Sequence, residues 1–90
     1  MSRDPALLIS AGVKRKIYPF SELEKETKST GVAAVHDQIG REPIRVVYDG
    51  VAKSAYVRSE PHSAVVVIEG FLDNLKVFYP EAEVYHSSPK

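Results

Sequence analysis

The chain has three histidines, at positions 36, 62 and 86, and imidazole is the side chain best suited to ligate a metal or move a proton near neutral pH. They are widely separated, and none has a second ligating residue at i+2 to i+4, so their spacing implies incidental, exposed histidines and no metal centre. His36 alone is followed by a carboxylate. A carboxylate can orient an imidazole for general-base work, which makes His36 and Asp37 the catalytic candidates. Neighbouring residues on a strand point to opposite faces, however, and this opposes their pairing. Asp37 is expected instead to accept amide hydrogens in the turn around Gln38 to Gly40. A nucleophile is harder to find. The chain has no Cys, and no serine sits in a G-x-S-x-G elbow. Gly12, Gly31, Gly40, Gly50 and Gly70 are scattered one per turn and form no phosphate-binding loop. Tyr18, Tyr48, Tyr56, Tyr79 and Tyr85 are expected at the core or its rim, ring buried and hydroxyl wet. No cofactor is implied.

The elements that position these residues must come from one core. A chain of 90 residues buries only about 60–65% of its unfolded surface, so a single domain over residues 1–90 is expected, with its ordered core from about 6 to 86. Without Cys, packing and hydrogen bonds must hold it together. Twelve basic residues balance twelve acidic ones, which leaves no global field to attract nucleic acid or an anionic membrane. The longest basic run, Lys14-Arg15-Lys16, reads as a solvated strand face, since nucleic-acid footprints recruit more cations. Ala6-Leu7-Leu8-Ile9 is too short for a signal-peptide core or a membrane span, and a cytoplasmic location is the default expectation.

Leu7 to Ile9 and Val13 to Ile17 flank Ser10-Ala11-Gly12 and predict an opening hairpin. Ser21-Glu22-Leu23-Glu24 reads as a capping box opening a helix from about Glu22 to Lys28, a surface helix in which only Leu23 is strongly apolar. Val32 to Ile39 is a strand, and Gly40-Arg41-Glu42-Pro43 a turn. Ile44 to Tyr48 and Val51 to Arg58 flank Asp49-Gly50, the preferred pair for a type I′ turn. A two-residue loop would set Tyr48 against Val51, Val46 against Lys53 and Ile44 against Ala55. Lys53 is then the one misfit on an apolar face, explained by snorkelling or by a longer loop. Ser59 to Ser63 is a loop. Ala64 to Ile68 is continuously apolar and β-branched, which suits a central strand covered on both faces. Phe71, Leu72, Leu75 and Phe78 recur at helical spacing before Pro80, and Glu83 to His86 is a short last strand.

The order of short motifs resembles a known family. Tyr18-Pro19-Phe20 with Leu23, Val35-His36-Asp37-Gln38-Ile39-Gly40, Val46-Val47-Tyr48-Asp49 with Ser54-Ala55, and Phe78-Tyr79-Pro80 with Val84-Tyr85 together resemble the prokaryotic family called Domain of Unknown Function 3179. The likeness runs from about Leu7 to Tyr85. Asp37 and Gly40 match the family's Val-Asn-Asp-x-x-Gly-Gly stretch, while His36 stands where Asn is usual and Arg41 where the second Gly is. Where many members carry Cys-Pro-x-Cys-Gly, this chain has Asp49-Gly50-Val51-Ala52-Lys53, so any thiol or metal chemistry of that segment is absent. The resemblance implies a bacterial, minimal, cysteine-free version of the fold and names no activity.

Sequence and resemblance together predict an α+β fold in the order β-β-α-β-β-β-β-α-β. Its mainly antiparallel sheet is curved, barrel-like, and covered by a second helix packed through Phe71, Leu75 and Phe78. The functional expectation is a non-catalytic binding or protein-interaction module. Its alternatives are a small enzyme using His36 and Asp37 and a structural homodimer joined through sheet edges.

Overall fold

The computed structural model of the protein describes residues 3–59 and 64–87. The elements are β1 (Pro5–Ala11), β2 (Lys14–Pro19), α1 (Phe20–Glu24), β3 (Val32–Ile39), β4 (Glu42–Asp49), β5 (Ser54–Ser59), β6 (Val65–Phe71), α2 (Leu72–Phe78) and β7 (Glu83–Val84). The fold is α+β in the expected order. Its strands form two open sheets, β6-β1-β2-β7 and β3-β4-β5, and no closed barrel. All pairings are antiparallel except the short parallel contact of β7 with β2.

Strand alternation explains the layers. From the first sheet, Leu7, Ile9, Ala11 and Tyr18 face the second sheet, where Ala33, Ile39, Ile44, Val46 and Tyr48 meet them, and α1 adds Phe20 and Leu23. Phe20 and Tyr48 touch edge to face, with centroids 5.2 Å apart at 65°. The alternate residues of the first sheet, Ala6, Leu8 and Ile17, form a smaller core with Leu75 of α2. β1 is therefore covered on both faces.

The expected central strand is not β6. Among the described residues β6 pairs only with β1 and forms the sheet edge, with Val66 56%, Val67 43% and Ile68 40% exposed. Two continuous apolar runs compete for the centre, and Ala6 to Ile9 takes it because β1 pairs on both sides.

Three local expectations are also corrected. Ser21 does not cap its own helix: its hydroxyl and its amide both donate to the Asp4 carboxylate, the amide at 3.1 Å, and α1 spans only Phe20–Glu24. Register explains the substitution, since pairing of Ala6 with Pro19 brings Asp4 to the start of the helix. Glu24 instead accepts Lys53 Nζ at 2.6 Å.

The β4–β5 turn runs from Gly50 to Lys53, so Tyr48 faces Ala55, Val46 faces Val57 and Ile44 faces Ser59. Asp49 Oδ1 accepts the amides of Val51 at 2.9 Å and Ala52 at 3.1 Å, a side-chain cap that favours the longer loop. Lys53 thereby leaves the strand and takes the positive φ of 56° itself. Gly50 suits a crowded position: a Cβ there would lie 2.5 Å from Glu24 Oε2, the movable end of a side chain, and 3.1 Å from the Gly31 carbonyl.

The third correction concerns α2, whose buried stripe is Leu72, Leu75 and Tyr79 in place of Phe71, Leu75 and Phe78. Phe71 is still extended at φ −101° and ψ 143°, which shifts the helical phase by one residue and leaves Phe78 75% exposed. The opening hairpin and the strand Val32–Ile39 form as expected, whereas the turn expected over Gly40 to Pro43 is confined to Gly40, with φ 61°, and Arg41, because Glu42 and Pro43 already pair with Ile39 and Gln38. The loop expected over Ser59 to Ser63 lies, beyond Ser59, outside the described residues.

Candidate functional site

Asp37 sits on the inward face of β3, in register with Ile44, and His36 on the outward face beside Arg45. The two candidates therefore point to opposite sides of the second sheet, and they form no dyad. Asp37 is occupied elsewhere. Its Oδ2 accepts Lys16 Nζ at 2.8 Å and the Tyr18 hydroxyl at 2.6 Å, and its Oδ1 accepts the Gln38 amide at 2.7 Å. The turn amide was expected; the two side-chain donors, from β2 of the other sheet, were not. Burial pushes the Asp37 carboxyl up, but the Lys16, Tyr18 and Gln38 hydrogen bonds and the Lys16 charge outweigh it, so its pKa lies below the ordinary value. Burial, followed by the bond to Asp37, drives the Tyr18 hydroxyl well above its ordinary value. A carboxylate so fully engaged holds two sheets together and is a poor proton acceptor.

The C-terminal segment closes over this junction. The Tyr85 amide donates to the Ile17 carbonyl at 2.8 Å, and its ring stacks on Tyr18 at 5.3 Å and 27°. The Tyr85 hydroxyl and the Ser87 hydroxyl both donate to Glu26 Oε2, at 3.0 and 2.6 Å. The Ser87 amide donates to Glu22 Oε1 at 2.9 Å. Burial, then the bond to Glu26 and its charge, push the Tyr85 hydroxyl up to about 12. The basic run is absorbed into the same structure: Arg15 pairs with Glu81 at 2.8 Å, and Lys16, whose side chain is 16% exposed, packs over the Tyr18 and Tyr85 rings. The solvated face expected for Lys14 to Lys16 is thus restricted to Lys14. The tyrosine hydroxyls at 18 and 85 are bonded and not wet.

A shallow cleft lies between β3 and this segment, with Lys16, His36, Asp37, Glu83, Tyr85 and His86 around it. It brings His36 and His86 to one opening. Among the described residues no group of three or more His, Asp or Glu is placed to hold a metal ion; His62 lies outside the described residues.

The other exceptional surface is the free edge of β6. Val66, Val67, Ile68 and Phe71 are all at least 40% exposed, and their residues alternate between the two faces of the first sheet. Sheet edges are normally blunted by Lys, Pro, bulges or brevity. β6 has seven residues, and its one charge is Glu69. Sequence reading missed this surface because an apolar β-branched run looks the same at a centre and at an uncovered edge. Among the described residues no helix is long and apolar enough to cross a membrane. Comparison with protein-family models, with curated proteins and with solved structures gives no match to this chain.

Proposed function

We propose that this protein is a non-catalytic interaction module that takes an added β-strand at the free edge of β6. The observation that carries this reading is the exposure of consecutive apolar residues, Val66, Val67 and Ile68, on an unpaired edge. Strand addition satisfies the free backbone groups of such an edge and covers apolar side chains on both faces. The engagement of Asp37 and its separation from His36 weigh against the small-enzyme alternative. The likeness to Domain of Unknown Function 3179 and a cytoplasmic location belong to the same proposal and add no activity to it.

The homodimer is the favoured form of strand addition, because β6 is complementary to itself. In an antiparallel pair centred on Val67, Val67 meets its own copy, Val66 meets Ile68, and Glu69 meets Val65, so no charge faces a like charge. The test is sedimentation of the wild type and of Val66→Lys from micromolar to millimolar concentration, alongside titration of a labelled peptide spanning residues 64–71. Self-association or saturable peptide binding by the wild type, lost in the variant with its circular dichroism unchanged, is the expected result. A wild type that stays monomeric and ignores the peptide would overturn the reading.

A further inference from the structure

The outer face of the second sheet, away from the β6 edge, carries a row of cationic and imidazole side chains that reaches the rim of the Asp37 cleft at His36. Register sets His36 directly beside Arg45 and Arg45 directly beside Arg58, one row across β3, β4 and β5. All three side chains are exposed. Like charges directly opposite on an antiparallel pair repel and destabilise the sheet. Arg15, Lys16, Lys25 and Lys53 each lie within 4 Å of a carboxylate, at 2.8, 2.8, 2.8 and 2.6 Å. Neither Arg45 nor Arg58 has such a partner among the described residues. The nearest acid on the outer face of β4, Asp49, is turned to the amides of Val51 and Ala52. Arg58 instead lies 5.6 Å over the Tyr56 ring, a contact that restricts its guanidinium on the outer face. The row opens into a shallow depression bordered by His36, Pro43, Arg45, Arg58 and Ser59, and among the described residues no carboxylate lines it.

We propose that this row is a binding site for a tetrahedral oxyanion of the phosphate type, either the free anion or the phosphoryl group of a phosphomonoester. Side chains directly opposite on an antiparallel pair have Cβ atoms about 4.5–5.5 Å apart, so two guanidinium forks can converge on the oxygens of one anion. Guanidinium is the group whose planar fork matches phosphate oxygens in pairs, and it remains charged at every physiological pH. His36 supplies a further N–H donor from the third strand. A bound dianion would convert the Arg45–Arg58 repulsion into two charge-assisted contacts, and Tyr56 would offer a ring face to the remainder of a phosphomonoester. This site makes no use of β6, so it stands or falls apart from strand addition.

The experiment is an amide-resolved NMR titration of the whole chain with inorganic phosphate at constant ionic strength, against sodium chloride as control. Saturable shifts centred on His36, Arg45 and Arg58, absent with chloride, are expected. Arg45→Ser and Arg58→Ser should each weaken binding by about tenfold or more, the loss of one charge-assisted fork. Without phosphate, Arg58→Ser should melt no lower than the wild type, because it removes the repulsion. Phenyl phosphate separates the two sources: tighter binding with shifts at Tyr56 assigns a phosphomonoester, and binding equal to that of inorganic phosphate assigns the free anion. Shifts that track chloride, or Arg45→Ser binding phosphate as tightly as the wild type, would overturn the proposal.

Discussion

The Asp37 junction and the outer surfaces of the two sheets treat polar and apolar groups in opposite ways. At the junction, Lys16, Tyr18 and the Gln38 amide all converge on one carboxylate, and Tyr85 and Ser87 converge on Glu26. On the outside, β6 leaves Val66, Val67 and Ile68 half uncovered, and the second sheet sets Arg45 beside Arg58 with no carboxylate paired to either among the described residues. A saturated network has little left to give a partner, because any new bond must replace one already made. An uncovered apolar edge and an unbalanced pair of cations can both lower their free energy by acquiring something. Binding is thus expected where the fold is least satisfied, and stability where it is most satisfied.

The contrast can be broken most severely at Leu75. It is 5% exposed, and Leu75→Ala should destabilise the protein by about 3 kcal/mol in urea unfolding, whereas Phe78→Ala, at 75% exposure, should stay within about 0.5 kcal/mol. Equal costs at the two positions would restore the stripe expected from sequence.

Asp37→Ala comes next, at about 2 kcal/mol. It leaves the Tyr18 hydroxyl without its acceptor and the Lys16 ammonium with only Glu83 at 3.7 Å, and a cost too small to measure would show that the junction does not hold the sheets together. The same carboxylate sets an acid limit. Its folded pKa lies below the ordinary value, so its contribution is complete above the unfolded carboxylate pKa of about 4 and disappears as pH falls through the folded value. The stability gap between wild type and Asp37→Asn should therefore be constant at neutral pH and close in acid.

The smallest effect is at Tyr85. Tyr85→Phe should cost about 1 kcal/mol at neutral pH through loss of the bond to Glu26. Because the folded hydroxyl titrates at about 12, its contribution is complete below the unfolded tyrosine value of about 10 and is lost as pH rises through 12. Alkaline unfolding curves of wild type and variant should converge across that window, and parallel curves would remove Tyr85 from the junction.

How much of this was legible in the sequence depended on the range of the interaction. The α+β class, the element order and the opening hairpin rest on patterns spanning a few residues, and these formed as read. The opposite facing of His36 and Asp37 followed from the two-residue period of a strand alone. The candidate site itself was half visible: the turn amide of Gln38 is adjacent in sequence, while Lys16 and Tyr18 reach Asp37 from 21 and 19 residues away. The turn after Asp49 was left open between two loop lengths, since both suit Asp-Gly and only the strand register selects the longer one.

Local chemistry therefore determined which segments are strands or helices and which residues could do chemistry. The tertiary structure decided what each became: β1 and not β6 the covered strand, Asp37 a junction instead of a base, and Arg45 a neighbour of Arg58. The reason is that burial, edge position and charge pairing depend on which strand lies beside which. Alternation along one strand says which side chains share a face and leaves open what will cover it.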